Sequence, residues 1–81
     1  MEFLLELPES LKIIYCSINH LQSLPELPKK LLNLDCSKNN LKSLPDLPNR
    51  LEYLNCSYNY LEFLPELPDN LRNLDCSENN L

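Results

Sequence analysis

Four cysteines, Cys16, Cys36, Cys56 and Cys76, stand twenty residues apart, each followed by a serine. Four thiolates make a complete ligand set for tetrahedral zinc, which holds its sulfurs at ~2.3 Å and needs all of them around one point. Two thiols with Cα atoms within ~7 Å can instead close a disulfide. The acids Glu6, Glu26, Asp46 and Glu66 recur with the same period and offer oxygens of the kind calcium takes. His20 is the sole histidine, and the equivalent positions Asn40, Tyr60 and Asn80 give it no partner for a catalytic dyad. Which of these chemistries is open depends on how the chain sets one period against the next.

Composition narrows the classes before any element is placed. The 81 residues contain no glycine, which removes phosphate-cradling loops and dinucleotide fingerprints, and seven prolines are left to supply the turning. Twelve acidic against seven basic residues give a formal charge of -5, which opposes approach to nucleic acid and to anionic membrane surfaces. The opening MEFLLELPES has no basic n-region, and no apolar run reaches membrane-spanning length. These features place the chain in a cytoplasmic, reducing compartment where cysteines stay thiols.

Stacked by twenties, the chain reads LPELPKKLLNLDCSKNNLKS from Leu24, LPDLPNRLEYLNCSYNYLEF from Leu44 and LPELPDNLRNLDCSENNL from Leu64. LLELPESLKIIYCSINHLQS from Leu4 is the same unit with Leu5 in place of proline, and the last unit is incomplete. A period of this length marks a solenoid in which each unit buries its apolar face against its neighbours, so residues 1–81 read as one repeat domain. Within each unit runs Leu-x-x-Leu-x-Cys-x-x-Asn-x-Leu, as at Leu31, Leu34, Cys36, Asn39 and Leu41. This pattern resembles the leucine-rich repeat, with cysteine in place of its third leucine. The LPxLPxxL half is similar to the short twenty-residue class of secreted bacterial effectors, and the LxCSxNxL half to repeats in proteins of giant DNA viruses.

The resemblance implies a right-handed α/β-class solenoid of four coils, a short parallel β-sheet on one face, and little or no helix. The residues agree. Leu34 and Cys36 alternate with Asn33 and Asp35, the period of two that a strand with one buried face requires. Each LPxLP segment favours an extended, polyproline-like return, because proline fixes its own φ and pushes the preceding residue out of the helical region. Asn19, Asn39, Asn59 and Asn79 fall at the turn leaving each strand, where their amides form a polar ladder to backbone groups, helped by the neighbouring Ser17, Ser37, Ser57 and Ser77.

This arrangement decides between the chemistries of the thiols. One cysteine per coil in parallel strands ~4.8 Å apart puts the outer pair ~14 Å from each other, which excludes a four-sulfur metal site. Only neighbours such as Cys36 and Cys56 lie within disulfide range, and parallel side chains do not aim their sulfurs at one another. Cys16, Cys36, Cys56 and Cys76 therefore read as small buried hydrophobes. They share the core with Leu31, Leu34, Leu41, Leu44, Leu47 and their equivalents, and Phe3, Leu4 and Leu5 close the first coil. The acid ladder reads as a solvated face. No cofactor, metal or catalytic residue is expected.

Outward strand positions are then free for binding. They are Lys12, Ile13, Tyr15 and Ile18, then Leu32, Asn33, Asp35 and Lys38, then Glu52, Tyr53, Asn55 and Tyr58, then Arg72, Asn73, Asp75 and Glu78. Tyr15, Asn33, Asp35, Tyr53, Asn55, Tyr58, Asn73 and Asp75 are the candidate protein-binding residues, an aromatic and polar set of the composition interfaces favour. The same tyrosines also suit strand propensity alone. Three functions are compatible with this reading: a protein-interaction module, an assembling repeat protein whose uncapped ends self-associate, and the recognition fragment of an effector-type ubiquitin ligase. The last follows only from the resemblance, which also implies action in a host cytoplasm. The chain starts within a unit and stops before a return path, as either a fragment of a longer array or a minimal reading frame would.

Overall fold

Three consecutive residues per period take up strand geometry, and everything else in a coil is turn or extended chain. In a computed structural model that describes residues 6–81, the strands are β1 (Ile13–Tyr15), β2 (Asn33–Asp35), β3 (Tyr53–Asn55) and β4 (Asn73–Asp75). They form one parallel sheet in the order β1-β2-β3-β4, with no helix among the described residues. Ile14, Leu34, Leu54 and Leu74 pair in a single row, so the register advances by one whole repeat per coil. Residues 3–5, expected to close the first coil, lie outside the described region.

The return path is extended as far as its second proline. There the carbonyls of Pro8, Pro28, Pro48 and Pro68 accept from the N–H groups of Leu11, Leu31, Leu51 and Leu71 at 3.1–3.3 Å, turning the chain back toward the strand. Proline does only part of the turning. Ile18, Lys38, Tyr58 and Glu78, one per coil, sit in the left-handed region at φ of 54–59°. Glycine normally takes this conformation, and each non-glycine residue there costs about 1–2 kcal/mol. The cost is offset across coils: the N–H groups of Ile18, Lys38 and Tyr58 donate to the carbonyls of Ser37, Ser57 and Ser77 at 3.2, 2.9 and 3.0 Å. His20 is also left-handed, and among the described residues no coil precedes it. Its counterparts Asn40, Tyr60 and Asn80 instead donate to the carbonyls of Leu21, Leu41 and Leu61 in the coil before.

Two columns hold the inside together. The first is apolar: Leu31, Leu34, Leu41, Leu51, Leu54 and Leu61 are wholly buried, with Cys36 and Cys56 between them. Leu44 and Leu47, on the extended return, are only half-buried against this core. Leu27 is buried, whereas its fourth-coil counterpart Leu67 and the β4 residue Leu74 are exposed, since no further coil stacks on them.

The second column is the asparagines. Asn39 Oδ1 accepts from the N–H groups of Asn19 and Leu21 in the coil before, at 3.0 and 2.9 Å. Its Nδ2 donates to the carbonyls of Cys16, Cys36 and Ser37 at 3.0–3.1 Å. Asn59 and Asn79 repeat this one and two coils on, bridging Leu41 to Cys36 and Leu61 to Cys56. No buried side-chain nitrogen or oxygen among the described residues is left without a partner.

Two substitutions check this architecture. Leu54→Ala removes a fully buried side chain between two coils and is expected to lower stability by about 2–5 kcal/mol, read as a lower urea midpoint. Asn39→Ala strands the N–H donors of Asn19 and Leu21 at one seam, while the Cys16 and Cys36 carbonyls keep Asn19 and Asn59 as donors. At about 1–3 kcal/mol for each unsatisfied group it is expected to lower the urea midpoint about as far as Leu54→Ala. An Asn39→Ala protein with the parent midpoint would show that the ladder is ornamental.

Candidate functional site

The strand sheet leaves one face uncovered, and that face carries the outward side chains of four coils in register. Tyr15, Tyr58, Asn73 and Asp75 are exposed, while Asn33, Asp35, Tyr53 and Asn55 are half-buried by their neighbours. A shallow groove of about 330 Å³ crosses the strands and brings together Tyr15, Asn33, Tyr53 and Asn73, with Glu52 and Arg72 at its wall. Asp35, Asn55 and Asp75 lie in the adjacent column. Tyr58 borders a separate hollow of about 240 Å³ with Asn39, Asn59, Tyr60 and Glu78. The Lys38 ammonium stands 5.9 Å from the centre of the Tyr58 ring, a cation–π contact that holds one side chain of this region over its neighbour.

The column of Asp35, Asn55 and Asp75 has a structural duty as well as exposure. One side-chain oxygen of each accepts from the hydroxyl and the N–H of the serine two residues on, at 2.7 and 3.1 Å, capping the turn after the strand. The serines thus bond to the strand's last residue rather than to the turn backbone. The DCS and NCS triplets carry the signal for this, since Asp and Asn bond two residues ahead by preference. In the first coil Tyr15 occupies the column, so Ser17 has no such acceptor. Hydrogen bonds from the Ser77 hydroxyl, and then from its N–H, hold the exposed Asp75 carboxyl below the usual carboxylate range.

The cysteines project to the opposite, inner side. All four are free thiols, with Cys16, Cys36 and Cys56 buried and Cys76 half-exposed at the last coil. Among the described residues no three of histidine, cysteine, aspartate and glutamate converge as a metal set. Desolvation by burial, reinforced by Asp35, pushes the Cys16 thiol up to about 11. Burial, reinforced by the Cys76 thiol, does the same to Cys56, also to about 11. Cys36 is raised further, first by burial and then by the thiols on either side. Such thiols are poor nucleophiles near neutral pH. Among the described residues no helix is long and apolar enough to cross a membrane.

Among solved structures, the chain is similar to a bacterial protein of known structure. YopM from Yersinia enterocolitica WA-314 is 41% identical over 95% of the chain, with a TM-score of 0.65. The chain spans 22% of the length of YopM. No family model matches, and no curated protein does. At this identity the likeness extends from backbone path to the repeat itself.

The buried thiols also supply a pH readout. In the unfolded chain they ionise near their ordinary value of 9.0, whereas in the fold Cys16 and Cys56 hold their protons to about 11. The raised values make their stabilising contribution complete below the lower figure and lost as pH climbs through the higher one. The melting temperature is therefore expected to fall across that window, and less steeply in Cys56→Ala, where one proton fewer is worth up to ~1.4 kcal/mol per pH unit. At neutral pH a maleimide should label Cys76 before the other three, and labelling all four at one rate would contradict their burial.

Proposed function

The chain is a leucine-rich repeat protein of the short twenty-residue class, and we propose that it binds a partner protein through the strand face of its solenoid. The observation that supports this most is the exposure of large side chains that the core does not use. Ile13, Tyr15, Ile18 and Tyr58 stand on the strand side of the coils, each at least half exposed, while the inside is closed by leucine, cysteine and asparagine. Amphipathic tyrosines with few rotatable bonds give contact area at small entropic cost, which is why interfaces are enriched in them. The remaining columns add amides, carboxylates and cations that can fix orientation.

In this reading the protein is a recognition module and performs no covalent chemistry itself. Its raised thiol pKa values and lone histidine supply neither an activated nucleophile nor a general base. The likeness to a Yersinia protein favours a partner in a host cytoplasm. A second reading, assembly of copies through the last coil, is favoured by the exposed Leu67, Leu74 and Leu81.

Substituting Tyr53→Ala and Tyr58→Ala together is expected to reduce capture of the cellular partner at least tenfold, in line with the loss of aromatic anchors at an interface. Far-ultraviolet circular dichroism should not change, since neither ring belongs to the core. Undiminished capture would place the binding surface elsewhere, and assembly through leucines of the last coil would persist in this variant.

A further inference from the structure

The four coils do not present equivalent surfaces. In the first, Ile13, Tyr15 and Ile18 are 50, 72 and 68% exposed, at positions where the second coil carries Asn33, Asp35 and Lys38. Ile18 is the most costly residue of the three: it is β-branched and sits at φ 59°, where branching at Cβ is least tolerated. The equivalent left-handed positions in later coils hold unbranched Lys38, Tyr58 and Glu78. The fold does not bury Ile18, so its apolar side chain has no structural return for that strain.

The groove starts at Tyr15 of this coil and runs across the sheet toward the fourth, with Ile13 and Ile18 exposed on the same coil beside its end. Its wall carries one charge of each sign, Glu52 and then Arg72, on neighbouring coils whose backbones are joined by a 2.8 Å hydrogen bond from Arg72 N–H to the Glu52 carbonyl. Asn33 and Asn73 line it with side-chain amides that make no hydrogen bond to another of the described residues. Such amides suit the N–H and C=O groups of an extended backbone. Although the whole chain carries a charge of -5, the groove pairs a negative with a positive position in fixed order, which favours a mixed-charge segment over a uniformly basic one.

Resting on the strand-face reading above, we propose that the groove takes an extended peptide segment laid across the strands, with an apolar side chain on Ile13, Tyr15 and Ile18, a basic one at Glu52 and an acidic one at Arg72. The spacing follows from geometry. Coils are ~4.8 Å apart and an extended chain advances ~3.3 Å per residue, so the basic residue stands about three positions from the apolar one and the acidic residue one or two beyond it. The segment runs in a single direction along the groove, whichever of its ends comes first.

Panning a phage-displayed random dodecapeptide library on the immobilised chain tests this. Enriched peptides should carry the apolar, basic, acidic order at those spacings. The exchanged protein, Glu52→Arg with Arg72→Glu, alters only exposed side chains and should enrich peptides with acid and base transposed. Ile18→Asn, which tolerates the left-handed conformation, should raise the denaturation midpoint while weakening the selected peptides at least tenfold. An order indifferent to the charge exchange, or no enrichment, would overturn the proposal. Peptides that are lost with Tyr53→Ala and Tyr58→Ala yet show no charge order would overturn it while leaving the strand-face reading intact. Peptides insensitive to every strand-face substitution would overturn both.

Discussion

A coil whose strand is only three residues long has more backbone polar groups inside it than a sheet ladder can pair, and the asparagine at each turn resolves this. One carboxamide accepts N–H groups from the coil before and donates to carbonyls of both coils, so it joins neighbours where the β-ladder has ended. Buried amides and carbonyls without partners cost more than a small core can offset. The apolar column of leucine and cysteine works only because this polar column is satisfied beside it. Each coil completes its neighbour's bonding, and for that reason the unit of stability is the seam between coils.

The same economy of residues shapes the strand face. Asp35, Asn55 and Asp75 each spend one oxygen on capping the turn through the following serine, which leaves them half structural and half available. The turn residues 38, 58 and 78 adopt a left-handed backbone that glycine would take more easily, yet they keep long side chains beside the sheet. A fold under pressure only to be stable would place asparagine or glycine there. Conformational strain and surface chemistry therefore meet in the same few positions, and the first coil, with Ile18, carries the greatest strain.

Much of this was legible from spacing. The twenty-residue period, the alternation around Leu34 and Cys36, and the proline pairs led to a parallel sheet with an extended return, and the chain forms both. The absence of glycine misleads in one respect: proline does only part of the turning, and hydrogen bonds between coils let isoleucine, lysine and tyrosine occupy left-handed geometry. Leu44 and Leu47, core residues by their place in the motif, are half-buried, since a motif gives a residue's side of the backbone but not the extent of its burial. The DCS and NCS triplets also carry the serine caps, whose acceptor is the side chain of the strand's last residue.

By itself the sequence determined the repeat, the identity of each inward position and the alignment of like residues from coil to coil, because a strict period leaves a solenoid only one register that turns the motif leucines of every coil to the same side. It also excluded a four-cysteine metal site, since collinear positions cannot converge. What the tertiary structure decided is which outward residues share a surface. The groove joining Tyr15, Asn33, Glu52, Tyr53, Arg72 and Asn73 collects residues from four coils, nearly sixty positions apart at its extremes. Its shape depends on side-chain lengths and rotamers across neighbouring strands. The period places those residues side by side, but only packing sets the gap between them.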